Sequence, residues 1–242
     1  MKEDSVEFIK NKKGFKRRFR LDSISKVEYI PTKSKFIHIF KGDKEYQFED
    51  NNFNLSSMKM VNDYLQQKDK HNRAFIVHRL DEDTSGVLMF AKNDKMARAL
   101  TDGDNWNNLV KKRGYYAIVE GTLKNKEGTI RSYLKKNSQN MMYSSKKKGD
   151  GQLAITDYKV IKANQKYSFV DVDIKTGRKN QIRVHFGDLG HFIIGDDKYG
   201  EPSNPIKRLG LHAYELDIIH PFTGKSMKFK APIPSEFSNL FK

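Results

Sequence analysis

At 242 residues the chain is long enough for a substantial core, as one large domain or a catalytic core with a small appendage. Apolar residues at 37% with 12% aromatics exclude wholesale disorder, and the absence of cysteine excludes disulfides and thiolate metal sites. Lys and Arg outnumber Asp and Glu by 46 to 30; the net charge of +16 favours a polyanionic partner, though solvated lysines spread over the surface account for it too.

The opening "MKEDSVEFIKNKKGF" has no apolar signal core, and no run approaches the ~18 apolar residues that span a membrane. A soluble, cytoplasmic protein is expected, with a monomer as the default. The first seventy residues read differently from residues 71–242. "KNKKGFKRRFR" (Lys10 to Arg20) interleaves cations with two phenylalanines, which suits RNA through phosphate contact and stacking, or a basic arm with no ordered role. "KFIHIFKGDKEYQFED" alternates with period two around Gly42-Asp43, a hairpin pattern. In "LSSMKMVNDYLQQK", Met58, Val61 and Leu65 form one helical face, with Ser56 or Ser57 as cap.

From Phe75 the pattern is strand-rich. Val87 to Ala91 has the length and apolar content of a short buried strand, and Asn93 is placed to cap a helix over "DKMARAL". "YYAIVEG" is a strand closed by Gly121, and "YSFVDVDIKTG" alternates Val170, Val172 and Ile174 with Asp171 and Asp173. "KNQIRVHFGDLG" changes period: Ile182, Phe186 and Leu189 make a helical face stopped by Gly190. "LHAYELDIIHP" and "KSMKFKAPIP" form a closing hairpin around Pro221 to Gly224, with Met227, Phe229 and Ala231 facing away from Lys228 and Lys230. Hairpin-joined strands with few helices predict a mixed α+β domain.

"VHRLDEDTSGVLMFAKN" (Val77 to Asn93) sets a dense charge cluster against a segment that wants burial. An Asp beside an Arg at the mouth of such a segment is electrostatically held as an anion and suits nucleophilic or base chemistry. Asp followed by Thr-Ser-Gly is equally ordinary turn chemistry.

The order and spacing resemble the RluA-type pseudouridine synthases, whose signature is His-Arg-Leu-Asp-x-x-Thr-Ser-Gly. Here it stands as His78-Arg79-Leu80-Asp81-Glu82-Asp83-Thr84-Ser85-Gly86. Three later segments follow in family order: "KKRGYYAIVEG"; "TGRKNQIRVHFGDLGHFIIGDDKYG"; and "LHAYELDIIHPFTG" with "FKAPIP". The resemblance covers about Phe75 to Phe237. It implies a pseudouridine synthase fold, a mixed, mainly antiparallel sheet flanked by helices, over residues 71–242. Residues 1–70 are then an RNA-binding appendage or part of the catalytic sheet.

The implied reaction isomerises uridine in RNA to pseudouridine, with ribosomal large-subunit RNA favoured over tRNA. It uses no cofactor and no metal. Asp81 matches the family's catalytic aspartate, proposed to attack sugar or base or to take the C2′ proton. Tyr115 matches the active-site tyrosine, with Tyr116 the competing position. Arg183 matches the basic residue that pairs with the aspartate, a job suited to a guanidinium fork.

The target base has to leave its stack. Arg79 matches the residue that fills the vacated space, and Arg178 is a phosphate contact. His78, Thr84 and Gln181 complete the RNA-contacting set, with Lys92, Lys179 and Lys146 to Lys148 as weaker contacts. His185, His191, His212 and His220 lack metal-ligand spacing on a shared helix face and read as structural.

The sequence departs from the family upstream. No Lys-Pro-x-Gly precedes the aspartate motif, residues 1–55 show no S4-type domain, and the one proline before residue 200 is Pro31. Asn180 stands where His is usual and Phe192 where Pro is usual. A non-catalytic RNA-binding or ribosome-assembly protein on the same scaffold is the competing reading.

Overall fold

The computed structural model describes residues 57–67, 69–200 and 203–242; Lys59 and five strands nearer the N-terminus are described by their backbone alone. β1 (Ser5–Ile9) pairs antiparallel with β2 (Lys16–Arg20). β3 (Lys26–Ile30), β4 (Phe36–Lys41) and β5 (Lys44–Glu49) form an antiparallel three-stranded sheet. The expected hairpin is present, with Lys41 opposite Lys44. Its turn at Gly42-Asp43, the Lys10–Phe15 part of the basic run, Pro31 and Ser56 lie outside the described residues.

The chain falls into two compact units, residues 1–80 with 88–106, and residues 81–87 with 107–242. The boundary expected near residue 70 lies inside the first. There α1 (Ser57–Gln66) begins at Ser57 itself, and its Asn62 Oδ1 accepts the Ala74 N–H at 2.7 Å, pinning the chain that follows. β6 (Phe75–Ile76), β7 (Ser85–Gly86) and β8 (Phe90–Ala91) are two-residue strands; β6 pairs with β8, and β7 belongs to the second unit. α2 (Asp94–Thr101) is capped as expected: Asn93 Oδ1 accepts the Met96 N–H at 2.8 Å.

The buried strand expected over Val87 to Ala91 is corrected. Only Phe90 and Ala91 join a ladder, and Val87 to Met89 are half-buried. The backbone donors go elsewhere: Val87 to the Ala213 carbonyl at 2.8 Å, and Met89 to His78 Nε2 at 2.8 Å.

α3 (Asn105–Leu109) leads into the second unit, built on β9 (Val110–Glu120), β10 (Glu127–Lys136), β11 (Met142–Ser145), β12 (Gln152–Ala163) and β13 (Tyr167–Ile174). α4 (Gln181–Asp188), β14 (Leu211–Ile219), β15 (Ser226–Lys230) and α5 (Ser235–Asn239) complete it. The strand order is β11-β10-β12-β13-β9-β14-β15, antiparallel throughout, and β7 adds one parallel pairing to β14. This is the mixed, mainly antiparallel α+β sheet that the motifs imply.

Period-two alternation gives the sheet two apolar faces. Ala117, Val119, Val170 and Val172 pack with Ile182 and Phe186 of α4; Ile118 and Phe169 pack on the other side with Ile194 and Phe237. Fully burying a ring such as Phe186 contributes about 1.5–3 kcal/mol. Gln181 through Phe186 are all buried, so α4 is sunk into the fold rather than laid on it. Leu189, expected on its apolar face, is corrected: it sits past the helix end and is 42% exposed, while Gly190 stops the helix in the left-handed region.

The closing hairpin is present, Gly224 donating to the His220 carbonyl at 2.9 Å. Among the described residues no helix is long and apolar enough to cross a membrane.

Candidate active site

The second unit fixes the aspartate segment at three consecutive positions. The Thr84 N–H closes a turn onto the Asp81 carbonyl at 3.0 Å. Ser85 is fully buried; its Oγ meets His212 Nδ1 at 2.7 Å and accepts from Arg208 Nη2. Gly86 lies beside Ala213, which in turn faces Tyr115 across β14 and β9. Gly86 has φ 116°, and a Cβ there would stand 2.1 Å from the Ala213 carbonyl oxygen. The Thr-Ser-Gly residues are thus an anchor, delivering Asp81 to the edge of the core with its side chain half-buried.

α4 supplies the opposite wall. Gln181 locks the loop before it: its Oε1 accepts from Thr176 Oγ1 at 2.7 Å and from the Arg178 N–H at 3.1 Å. Its Nε2 donates to the Ile155 carbonyl and Thr156 Oγ1, both at 2.9 Å. Expected among the RNA-contacting residues, Gln181 spends both ends of its buried amide inside the protein. The loop ends at Asn180, in the left-handed region at φ 53° and 3% exposed. Its N–H reaches Asp81 Oδ1 at 3.4 Å. With the Asn180 amide nitrogen toward Asp81, it lies 3.0 and 3.2 Å from the two carboxylate oxygens, and the amide oxygen accepts from the Tyr199 hydroxyl at 2.8 Å. The reverse orientation would set an amide oxygen against an anion.

One turn on, Arg183 is 3% exposed and donates from Nε to Asp196 Oδ2 at 2.8 Å and from Nη2 to Asp196 Oδ1 at 2.6 Å. Asp196 Oδ1 also accepts the Lys198 and Tyr199 N–H groups, at 3.0 and 2.9 Å. The Arg183 guanidinium lies 5.2 Å over the Tyr199 ring. Burial disfavours the Arg183 charge, but the hydrogen bonds and charge of Asp196, then the charges of Asp81 and Asp83, outweigh it and raise the pKa. The sequence expectation paired Arg183 with Asp81; the bidentate partner is Asp196, with Asp81 in electrostatic reach. Asp83 itself is raised by burial, against the opposing pull of Arg183.

Tyr115 and Tyr116 point to opposite faces of β9. Tyr115 packs with the α4 face, and burial, helped by the negative charge of Asp81, pushes its phenol up to about 12. Tyr116 stacks on Tyr214 at 3.9 Å on the other face. The tyrosine that senses Asp81 is therefore Tyr115.

Arg178 donates from Nε to the Leu153 carbonyl at 3.0 Å. Arg113 donates from Nη2 to the Lys175 carbonyl at 2.6 Å; burial lowers its pKa, and nearby Arg178 adds to that. Among the described residues Thr84 Oγ1 is buried with no hydrogen-bond partner, a cost of about 1–3 kcal/mol unless a bound group offsets it. Lys179 and Lys146 to Lys148 are exposed. In the first unit Arg79 and Lys92 are exposed, and His78 stacks on Trp106 at 4.9 Å while its Nε2 accepts the Met89 N–H.

The histidines of the second unit have local partners. His185 bridges Ser132 Oγ at 3.0 Å and Thr156 Oγ1 at 2.9 Å, His191 Nδ1 meets the Glu120 carbonyl at 2.7 Å, and His220 Nδ1 accepts the Phe222 and Thr223 N–H groups. Among the described residues no group of three or more His, Asp or Glu is placed to hold a metal ion.

Sequence reasoning left Asn180 without a contact to Asp81 and gave Asp196 and Tyr199 no role. The signal for the last two was present, since both lie at the end of the matched segment "TGRKNQIRVHFGDLGHFIIGDDKYG".

Residues 32–188 match a family model described as RNA pseudouridylate synthase. The uncharacterized RNA pseudouridine synthase YhcT of Bacillus subtilis is 40% identical over 166 residues, 68% of this chain and 54% of that protein. Ribosomal large subunit pseudouridine synthase D of Neisseria meningitidis is 34% identical over 182 residues, 69% of this chain and 47% of that protein. The chain thus spans about half the length of these relatives. Among solved structures, human RNA pseudouridylate synthase domain containing 1 shares the fold, with a TM-score of 0.62 at 24% identity, covering 86% of this chain and 84% of that one.

Proposed function

Because the chain belongs to the RNA pseudouridylate synthase family, we propose that it isomerises uridine in RNA to pseudouridine, with Asp81 as the reacting carboxylate. The N1–C1′ bond breaks, the base turns, and C5 bonds to C1′; the C5 hydrogen leaves as a proton while N1 gains one. The observation carrying this reading is the convergence of Asp81 with Asn180, Arg183 and Tyr115, one anion among a donor, a cation and an aromatic ring. A carboxylate so placed stays available as nucleophile or base.

Tyr115 offers a ring face to stack on the base, and its phenol enters the reaction protonated. Thr84 Oγ1 has hydrogen-bonding capacity to spare for the nucleoside. Arg178 and Arg113 are proposed phosphate contacts and Arg79 the residue that fills the vacated stack. Ribosomal large-subunit RNA is the proposed substrate class, supported by the name of the Neisseria relative, while the +16 charge supports an RNA partner of either kind.

Tritium release from RNA carrying 5-tritiated uridine is the direct test, run on ribosomal and transfer RNA transcripts side by side. Release is expected from ribosomal transcripts, and Asp81→Asn should abolish it while RNA binding persists. Full activity in Asp81→Asn would remove the assignment of Asp81.

A further inference from the structure

We propose that Asn180 is a positioning residue that orients the Asp81 carboxylate and keeps it anionic, and that Tyr199 fixes which way the Asn180 amide faces. The inference rests on the reading of Asp81 as the reacting group.

Tyr199 has one hydroxyl proton, and its oxygen already accepts the Met142 N–H at 3.1 Å. With that acceptor position used, the hydroxyl proton is free for Asn180 Oδ1 at 2.8 Å, and the Asp81 carboxylate on the far side of the amide takes its NH2 at 3.0 and 3.2 Å. The Asn180 N–H points at the same carboxylate from 3.4 Å. One residue thus presents two donors to one anion. The left-handed backbone at φ 53° brings both to Asp81, and asparagine tolerates that region better than most residues with a side chain.

Tyr199 is held in turn: its N–H donates to Asp196 Oδ1 at 2.9 Å, and the Arg183 guanidinium covers its ring at 5.2 Å. Asp196 therefore organises both supports of Asp81, the charge of Arg183 and the amide of Asn180. Neutral donors favour the charged carboxylate without adding a group that titrates beside it. An aspartate at position 180 would do the reverse, since two adjacent carboxylates resist ionising together.

The test uses tritium release across pH 5–10 for three variants of the full chain. Asn180→Gly keeps the left-handed backbone and the N–H but removes the amide; kcat is expected to fall about 10- to 100-fold with KM for RNA within about threefold. Tyr199→Phe is expected to lose a smaller part of kcat. Asn180→Asp, matched in size, should move the acid limb of the kcat profile upward by about one pH unit or more, with activity recovering as pH rises. A purely structural role would not move that limb.

Should Asn180→Gly fold poorly, the pH profile of Asn180→Asp still decides. An unmoved limb, or unchanged kcat in folded Asn180→Gly, overturns the inference. Asp81→Asn, measured alongside, separates the two ideas: if it is inactive while the Asn180 variants behave as wild type, only the positioning role fails.

Discussion

Arg183 and Asp196 form a two-point ion pair in which the arginine is 3% and the aspartate 1% exposed. A buried pair of this kind adds little over a well-packed apolar pair, yet removing one member strands the other charge. The pair is thirteen residues apart in sequence, spanning α4 and the turn that carries Tyr199.

Asp196→Ala should therefore destabilise the fold by about 3–5 kcal/mol in denaturant unfolding, and Arg183→Ala by a similar amount. Arg183→Lys should recover part of the stability but not the activity, because a point charge cannot reproduce the fork that Asp196 accepts. Equal stability of Asp196→Ala and wild type would show that the ion pair carries no structural weight.

Tyr115 is expected to remain a phenol through the working range. Burial and the Asp81 charge hold it at about 12, so at neutral pH about one molecule in 10⁵ carries the phenolate. The tyrosinate absorbance that distinguishes wild type from Tyr115→Phe should appear only as pH nears 12. Its appearance near 10 would mean that the phenol is neither buried nor beside the Asp81 charge. The kcat profile should accordingly show no phenol-dependent limb below about pH 11.

Much of the sheet was legible because period-two alternation reports a local fact: Val170, Val172 and Ile174 are buried while Asp171 and Asp173 are not fully so. The Asn93 cap was legible for the same reason, since its partner Met96 is three residues away. The strand over Val87 to Ala91 was misread because its backbone donors leave the segment, one of them for Ala213. Leu189 was misread because the helical period was extended one step past the true end of α4.

In the candidate site the motifs pointed to Asp81, Tyr115 and Arg183, and side-chain contact then decided details that spacing cannot. Asn180 approaches Asp81 across 99 residues of sequence. A left-handed asparagine before a helix looks like loop chemistry until the partner is seen. Gln181 shows the converse: its place in the motif suggested RNA contact, and the fold uses its whole amide to close the loop.

Gly86→Ala should abolish correct anchoring of the aspartate segment. The added Cβ would meet the Ala213 carbonyl oxygen at 2.1 Å, with backbone behind it that cannot give, and φ 116° is strained for any L side chain. Gly103→Ala is the control. It has positive φ but nothing within 4 Å, so a cost of only about 1–2 kcal/mol is expected. Chemical denaturation with tritium release should find Gly86→Ala unfolded or inactive and Gly103→Ala folded and active; a folded, active Gly86→Ala would displace the anchor from its role.

His185 makes stability depend on pH in a direction the geometry fixes. The ring is fully buried between Ser132 and Thr156, and burial pushes its pKa down to about 4 from an ordinary 6.5. Below pH 6.5 the unfolded chain takes up a proton that the folded one refuses until about pH 4. Stability from this group is therefore whole above 6.5 and is lost as pH falls through that window. Linkage over the interval amounts to about 3 kcal/mol at most. His185→Gln, which cannot titrate and can still meet both hydroxyls, should lose correspondingly less stability between pH 7 and pH 4. The check is urea unfolding of both proteins at each pH; parallel losses would place the acid sensitivity in the carboxylates instead.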